Sequence, residues 1–180
     1  MSIRKFFWVF FWVMALHASA QKYVSEKGVI TFFSEAAIED IKAENLKASS
    51  MVNTSTADIA FVVSIREFQF EKKLMQEHFN EKYMESEKYP KATFSGKLDG
   101  FLGTGAPGIQ QVKAKGKLAI HGVTKDVEIS GTAENTTQHI LIKSKFIVRL
   151  EDFNIKIPQL MWQNIAEQVE VSVEFTYKPQ

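Results

Sequence analysis

The chain has 180 residues, contains no cysteine and carries 22 basic residues against 21 acidic residues. This near balance of charge gives no support for a protein that binds nucleic acid or an anionic membrane surface. Without cysteine, the fold cannot depend on disulfides, thiolate chemistry or a cysteine-ligated metal, so its stability must come from a packed core.

The first twenty residues have the three-part layout of a secretory signal peptide. Arg4 and Lys5 form a basic start, the run FFWVFFWVMAL is apolar, and Ala-Ser-Ala at residues 18–20 matches a cleavage site. The apolar run is well short of the roughly 20 residues that a membrane-spanning helix needs, which makes a retained membrane anchor the weaker alternative. We therefore expect cleavage after Ala20, a periplasmic or secreted location, and one domain over residues 21–180.

Seven segments of the mature chain are predicted to be β-strands, and the later ones have apolar residues at every second position. In chain order they are KGVITFFS, DIAFVVSI, KATFSGKLDG, QVKAKGKLAI, DVEISGTA, HILIKSKFIVRL and VEVSVEFTY. QVKAKGKLAI is the clearest case, because Val112 and Leu118 fall on one face and Lys115 falls on the other. This alternation is typical of antiparallel strands with one face in solvent.

One segment, EKKLMQEHFNEKYMESEKYP, breaks the period of two. Met75, Phe79 and Tyr83 recur at a spacing of four, which predicts an amphipathic helix over residues 71–86, and Pro90 ends the pattern. The helix could be a plug that completes the core or a lid that opens for a ligand. A second short helix, around either DIKAENL or LMWQNIAE, is a weaker prediction.

Seven or eight antiparallel strands with a single helix predict an all-β fold, either a closed barrel or a sandwich. Gly96, Gly116 and Gly131 occupy inward positions in the middle of strands, where a packed core would normally place leucine or isoleucine. Such glycines mark either sharp bends or a hollow interior. Both features suit a ligand-holding barrel, although bends alone would also suit a filled barrel.

The stretch His121-Gly122-Val123-Thr124-Lys125 joins two alternating strands across the length of a tight hairpin. Gly122 supplies the positive φ that such a turn needs. His121 and Lys125 could instead act as acid and base or contact an anionic head group at the barrel rim. No neighbouring carboxylate or serine completes a catalytic arrangement, so the sequence favours a turn or rim role for both residues.

Three ordered motifs resemble the YceI-like family of exported lipid-binding proteins over residues 70–175. They are Tyr89-Pro90-x-Ala92-x-Phe94, Leu118-x-Ile120-His121-Gly122-Val123-Thr124-Lys125, and Phe146-x-Val148-x-x-x-Asp152-Phe153-x-Ile155. Asn154 stands where the family usually has glycine, and asparagine also enters the left-handed region. The resemblance implies an eight-stranded, lipocalin-like antiparallel barrel. Its apolar tunnel would hold a long isoprenoid chain of the polyprenyl phosphate or quinone type.

On this interpretation, inward-facing side chains hold the lipid by apolar burial without catalysis. The predicted ligand-binding residues are Phe61, Val63, Phe79, Phe94, Gly116, Leu118, Ile120, Phe146, Val148, Val171, Val173 and Phe175. The alternatives are an interaction or structural module with a filled barrel, and a small hydrolase or isomerase that uses His121. No cofactor, metal or nucleic acid is implied, transient contact with a membrane is compatible with the sequence, and the oligomeric state is left open.

Overall fold

The computed structural model describes residues 22–35, 40–136, 138–157 and 166–179. The predicted signal peptide lies outside these ranges, as do residues 160–165, which hold most of LMWQNIAE, one of the two positions considered for a second helix. The other position, DIKAENL, is wrong for a helix, because residues 41–45 form a β-strand. Ala43 and Asn45 of this strand are buried and Lys42 and Glu44 are exposed, so pairing with neighbouring strands selects the period of two over a helix.

Ten strands and one α-helix are present in the described ranges. The strands are β1 (Lys22–Ser34), β2 (Ile41–Asn45), β3 (Ser49–Asn53), β4 (Asp58–Ser64), β5 (Gln69–Phe70), β6 (Lys91–Asp99), β7 (Gly108–Ile120), β8 (Val123–Asn135), β9 (Ile140–Arg149) and β10 (Gln168–Pro179). Helix α1 (Lys73–His78) continues directly into a π-helical turn, Phe79–Tyr83. Short 3-10 turns occupy Ile65–Glu67, Gly103–Gly105 and Glu151–Phe153.

All ten strands belong to one sheet of order β10-β9-β8-β7-β6-β4-β3-β1-β2-β5. β1 also pairs antiparallel with β10 along its length, so the sheet closes on itself. The first part of β1 pairs with β3 and its last part pairs with β2. These two strands pair in turn with β4 and β5. β2 with β3, and β4 with β5, are therefore two interrupted strands of an eight-stranded antiparallel barrel, and the predicted fold class is confirmed.

The faces of β7 follow the predicted alternation. Val112 and Leu118 are buried in the barrel interior. On the outer face, Lys115 Nζ lies 2.8 Å from Asp99 Oδ2 and 3.7 Å from Glu128 Oε2. Exposed ion pairs of this kind contribute little stability, whereas burial of apolar side chains contributes much more. The inward face is therefore what selects the strand and its register.

The inserted helix is shorter than its sequence pattern predicts. α1 begins at Lys73 rather than at residue 71, and Lys72 before it is extended and makes no side-chain capping bond. The π-helical turn ends before Glu85, whose positive φ of 43° stops the helical path. A left-handed residue is a common helix terminator, so the end at residue 83 has a local cause.

The wall of the barrel is unevenly paired around β8. β7 and β8 form an uninterrupted ladder from Gly108 opposite Asn135 to Ile120 opposite Val123. The ladder between β8 and β9 instead ends at Gly131 opposite Ser144, where the Ser144 hydroxyl donates a 2.7 Å hydrogen bond to the Ser130 carbonyl. Residues 123–130 and 145–149 therefore diverge towards one end of the barrel.

The two ends of the barrel interior are filled differently. At the end that contains the C-terminus of β10, which we call the filled end, apolar side chains from all sides are buried. They are Tyr23, Val52, Ile59, Leu98, Val112, Ala133, Ile140, Ile142, Phe175 and Tyr177. At the opposite end, which we call the hollow end, α1 and the π-helical turn lie beside an internal cavity. The candidate site is at the hollow end.

Candidate functional site

The cavity at the hollow end has a volume of about 410 Å³. Its wall is built from the last residues of β1, β4, β7 and β9 and the first residues of β6 and β10, which meet at this end because neighbouring strands are antiparallel. α1, the π-helical turn and the residue that follows them form residues 73–84, which we call the helical segment. This segment supplies one side of the cavity through Met75, Phe79 and Met84. A cavity of this size lies within the range of small-molecule sites.

Nine of the twelve predicted ligand-binding residues line this cavity. They are Phe61, Val63, Phe79, Leu118, Ile120, Phe146, Val148, Val171 and Val173. Eight of them belong to strands, where the period of two identifies the inward face directly from sequence. Phe79 comes from the helical segment, where the spacing of four identifies the face.

Phe94 and Phe175 face inward as predicted but do not line the cavity. Each is only 1% exposed, and the two rings pack with Phe61 at centroid distances of 5.1 and 6.2 Å from it. They lie beneath the cavity because the interior at their level is occupied by other side chains. Periodicity gives the face of a residue and not the depth at which the barrel becomes filled.

Gly116 does not border open space, so the hollow-interior explanation is wrong at this position. A Cβ atom built on Gly116 would lie 2.3 Å from the Ser95 carbonyl oxygen and 2.6 Å from the Cα of Gly96. The two glycines face each other across the β6–β7 ladder. Their role is close approach of two neighbouring backbones, an explanation that the sequence analysis did not consider beside bends and a hollow interior.

Three aromatic residues beside the helical segment are not among the predicted ligand-binding residues. Phe32 of β1, Phe68 and Phe70 of the β4–β5 region, and Phe79 form one cluster, in which the Phe79 ring lies 5.4, 5.6 and 4.9 Å from the other three. All four rings line the cavity. The segment REFQF carries phenylalanines two apart, and this alternation is the signal that could have identified Phe68 and Phe70.

Polar groups are sparse in the part of the lining that the structure describes. They are the Ser34 hydroxyl, the His78 imidazole and the Tyr83 phenol, and no aspartate, glutamate, lysine or arginine is among the lining residues. Ser34 is buried, and its Oγ accepts a 3.2 Å hydrogen bond from the Ala166 amide. Partial burial raises the pKa of Tyr83, so its phenol is neutral and polar at physiological pH.

The hairpin expected at HGVTK is present at the rim of the hollow end. His121 and Gly122 have φ angles of 50° and 76°, and β7 and β8 begin their pairing directly on either side. Two consecutive positive φ values are typical of the two-residue turn that matches the twist of a hairpin. The turn role predicted for Gly122 is therefore confirmed.

His121 is 8% exposed and joins three parts of the chain. Its Nδ1 lies 3.2 Å from the Phe153 carbonyl oxygen, and its Nε2 lies 3.2 Å from Glu85 Oε1. Both partners are acceptors, so both hydrogen bonds form together only when the ring carries two protons. The Tyr89 ring packs on the imidazole with a centroid distance of 4.4 Å. The imidazole therefore links the end of the helical segment to the β9–β10 connection.

Lys125 pairs outside the cavity. Its Nζ lies 2.5 Å from Asp152 Oδ1, and both side chains are 42% exposed. Neither His121 nor Lys125 lines the cavity. Asn154 adopts the left-handed conformation with φ of 54°, as its position in the third motif predicts. The three sequence motifs thus meet at one rim of the barrel, through Tyr89, His121 and the Phe153 carbonyl.

The described residues contain neither a candidate metal site nor a candidate membrane-spanning helix. Within those ranges, no group of three or more histidine, cysteine, aspartate or glutamate residues is placed to hold a metal ion. No helix there combines the length and apolar character needed to cross a membrane.

The closed antiparallel barrel, with one filled end and an apolar cavity at the other, places this chain in the class of small antiparallel β-barrels with an internal cavity. The matching family model is the YceI-like domain, which covers residues 15–177. This chain therefore belongs to the YceI-like family. Sequence comparison with curated proteins gives no significant match.

Several solved structures share the fold. A polyisoprenoid binding domain from Saccharophagus degradans, implicated in plant cell wall breakdown, matches with a TM-score of 0.79 and 15% identity over 88% of this chain and 98% of that one. BcnA from Burkholderia cenocepacia matches with a TM-score of 0.68 and 15% identity over 83% and 95% of the two chains. The YCEI protein of Campylobacter jejuni matches with a TM-score of 0.63 and 15% identity over 81% and 88%.

Proposed function

We propose that this protein holds an apolar lipid of the isoprenoid type in the hollow end of its barrel and performs no chemistry on it. The observation that carries the proposal is the cavity of about 410 Å³, whose described lining contains no charged side chain of the Asp, Glu, Lys or Arg types. Water would find few hydrogen-bond partners there, so an apolar chain is the better occupant. The fold shared with a polyisoprenoid binding domain of Saccharophagus degradans supports this ligand class.

Partition of the lipid out of water supplies the binding free energy. Burial of apolar surface stabilises by about 25 cal/mol per Å², so a chain of several isoprene units can bind tightly without a strong polar contact. The described lining offers only Ser34, His78 and Tyr83 as polar partners. This lining suits the apolar chain, whereas a phosphate head group would lack a cationic partner inside the cavity and would have to lie outside it.

The position of His121 argues against the hydrolase or isomerase alternative. Both of its ring nitrogens lie within hydrogen-bond distance of acceptors in the protein, and the ring does not line the cavity. A general acid or base must reach the substrate within hydrogen-bond distance. His121 instead holds the rim of the barrel together.

We also propose that the protein acts in the periplasm or outside the cell after cleavage following Ala20. Support comes from the basic start, apolar run and small-residue site at residues 1–20. N-terminal sequencing of the protein from fractionated cells tests this proposal. A first residue of Gln21 in the exported fraction is expected, and intact Met1 in the cytoplasmic fraction would contradict export.

Native mass spectrometry of the purified protein, followed by lipid extraction, tests the binding function. A co-purified apolar lipid is expected for the wild type. Val171→Trp fills the cavity from an inward position and should lose the lipid, whereas Ile147→Trp adds the same side chain at an outward, exposed position and should retain it. Equal lipid content in the two folded variants would contradict binding in this cavity.

A further inference from the structure

The cavity ends on a floor of aromatic rings in the middle of the barrel. Phe61 lines the cavity and stacks on Phe94 with a centroid distance of 5.1 Å and an interplanar angle of 14°. Phe175 lies 6.2 Å from Phe61 and 6.0 Å from Tyr177. These four rings, which we call the aromatic floor, lie between the cavity and the rest of the filled end.

Two rings of the aromatic floor, Phe175 and Tyr177, are held in place by close contacts with neighbouring strands. Phe175 lies over Gly28, its cross-strand partner, so closely that a Cβ on this glycine would be 2.3 Å from the ring. Tyr177 is fully buried, and its phenol oxygen lies 2.7 Å from the Ser50 hydroxyl oxygen. Neither ring can turn aside without losing these contacts, so a ligand chain cannot pass into the filled end.

Phe61 differs from the other rings of the floor. It is half-buried and borders the cavity, whereas Phe94, Phe175 and Tyr177 are each no more than 1% exposed. Its loss would deepen the cavity by one ring while Phe94 and Phe175 still closed it below. Phe61 is therefore the residue that limits the depth available to a ligand.

The volume of the cavity gives the length of isoprenoid chain that it can hold. A cavity of about 150 Å³ in another protein holds one benzene ring of six carbon atoms. The cavity of about 410 Å³ is about 2.7 times larger, which corresponds to about 16 carbon atoms. Three isoprene units contain fifteen carbon atoms, so a chain of that length fills the available space.

We propose that the aromatic floor limits the buried part of the ligand to about three isoprene units and that Phe61 is the residue that determines this limit. The proposal rests on the proposed function, since it assumes that an isoprenoid chain enters the cavity. Units beyond the third remain outside the barrel and add little to the affinity. The protein would therefore recognise a chain end and would not enclose a whole long-chain lipid.

A chain-length series of uncharged prenyl alcohols tests the limit. Delipidated protein is titrated with geraniol, farnesol, geranylgeraniol and solanesol in the presence of a displaceable fluorescent fatty-acid probe. Affinity should rise at least about tenfold from two to three isoprene units, because each buried methylene adds binding free energy. From four units to nine units it should stay within about threefold, which is under 1 kcal/mol.

Phe61→Ala should move the limit to a longer chain. The ratio of geranylgeraniol affinity to farnesol affinity should rise at least about tenfold in this variant, because the vacated ring volume accepts the extra unit. Phe70→Ala is the matched control, since Phe70 lines the cavity beside the helical segment rather than on the floor. It should weaken all four alcohols without changing that ratio. If Phe61→Ala does not fold, Phe61→Leu provides a smaller change in the same direction.

The outcomes separate the two proposals. A continuous rise in wild-type affinity from three to nine units would overturn the chain-length limit and leave lipid binding intact. An unchanged ratio in folded Phe61→Ala or Phe61→Leu would overturn the role of Phe61. Absence of binding by all four alcohols to folded wild-type protein would overturn the proposed function itself.

Discussion

The filled and hollow ends of the barrel are built from the same alternating strands, but one end has a packed interior and the other contains a cavity. At the filled end, Phe175 and Tyr177 project into the interior, and Tyr177 closes it with a hydrogen-bond contact to Ser50. At the hollow end, the inward residues of the same strand are Val171 and Val173, which are smaller and only half-buried. One strand, β10, therefore contributes packed core in its second half and cavity wall in its first half.

The difference teaches that, along β10, the inward residues become smaller from the filled end to the hollow end, and that the pairing of the wall changes in the same direction. β8 and β9 are paired at the filled end, through Gly131 opposite Ser144 to Asn135 opposite Ile140, and they diverge at the hollow end, where the helical segment covers part of the interior instead. Stability should therefore be concentrated at the filled end and ligand binding at the hollow end.

Tyr177→Ala should have the largest effect on stability. Truncation of this fully buried side chain leaves a cavity and removes one hydrogen-bond partner of the Ser50 hydroxyl, which also donates to the Ala60 carbonyl. The free energy of unfolding should therefore fall by about 3 to 5 kcal/mol. Urea denaturation measures the loss. Lipid content of the folded fraction should not change, and a loss of lipid without a loss of stability would reverse the division between the two ends.

Gly116→Ala should have the next largest effect, at the boundary between the two ends. The added Cβ would clash with the Ser95 carbonyl oxygen and the Gly96 Cα, at a cost of about 1 to 3 kcal/mol. Gly105→Ala is the control, because no atom lies within 4 Å of its built Cβ and its φ is not positive. Thermal melting should separate the variants, and equal melting temperatures would contradict a close backbone contact at Gly116.

Phe79→Ala should affect stability less than Tyr177→Ala, because Phe79 is only half-buried and borders a cavity that already exists. We expect a loss of about 1 to 2 kcal/mol, together with faster release of bound lipid. The melting temperature and the lipid dissociation rate should be measured on the same sample. A loss as large as that of Tyr177→Ala with an unchanged dissociation rate would identify the helical segment as a plug.

Tyr177→Phe should have the smallest effect on the free energy of unfolding at neutral pH. It should instead change how that free energy depends on pH above about 10. Burial raises the pKa of Tyr177 well above its usual value near 10, so the folded protein keeps this proton while the unfolded chain loses it. Wild-type stability should therefore fall as pH rises above about 10, by about 1.4 kcal/mol for each pH unit. The Phe variant lacks this contribution. Denaturation at pH 8 and pH 11 compares them, and parallel losses would show that the phenol is not the cause.

Much of the fold could be predicted because it depends on local pattern. The alternation in QVKAKGKLAI specifies a strand with one buried face, whatever it packs against. The pair His121-Gly122 specifies a tight turn, since both residues must adopt positive φ. The order of the three motifs was sufficient to indicate the YceI-like family, although their meeting at one rim is visible only in the folded chain.

Tertiary structure decided how deep the interior stays open. Phe94 and Phe146 both lie on inward faces of alternating strands, yet Phe94 is in the floor and Phe146 lines the cavity. The two residues differ because the depth of the open interior depends on side chains of the opposite wall. Those side chains belong to residues that are distant in the sequence. The same reason explains Gly116, because the space where its side chain would lie is occupied by the backbone near Gly96 on the neighbouring strand and is not empty. A single strand determines which way a side chain points, and only the closed barrel determines what it meets.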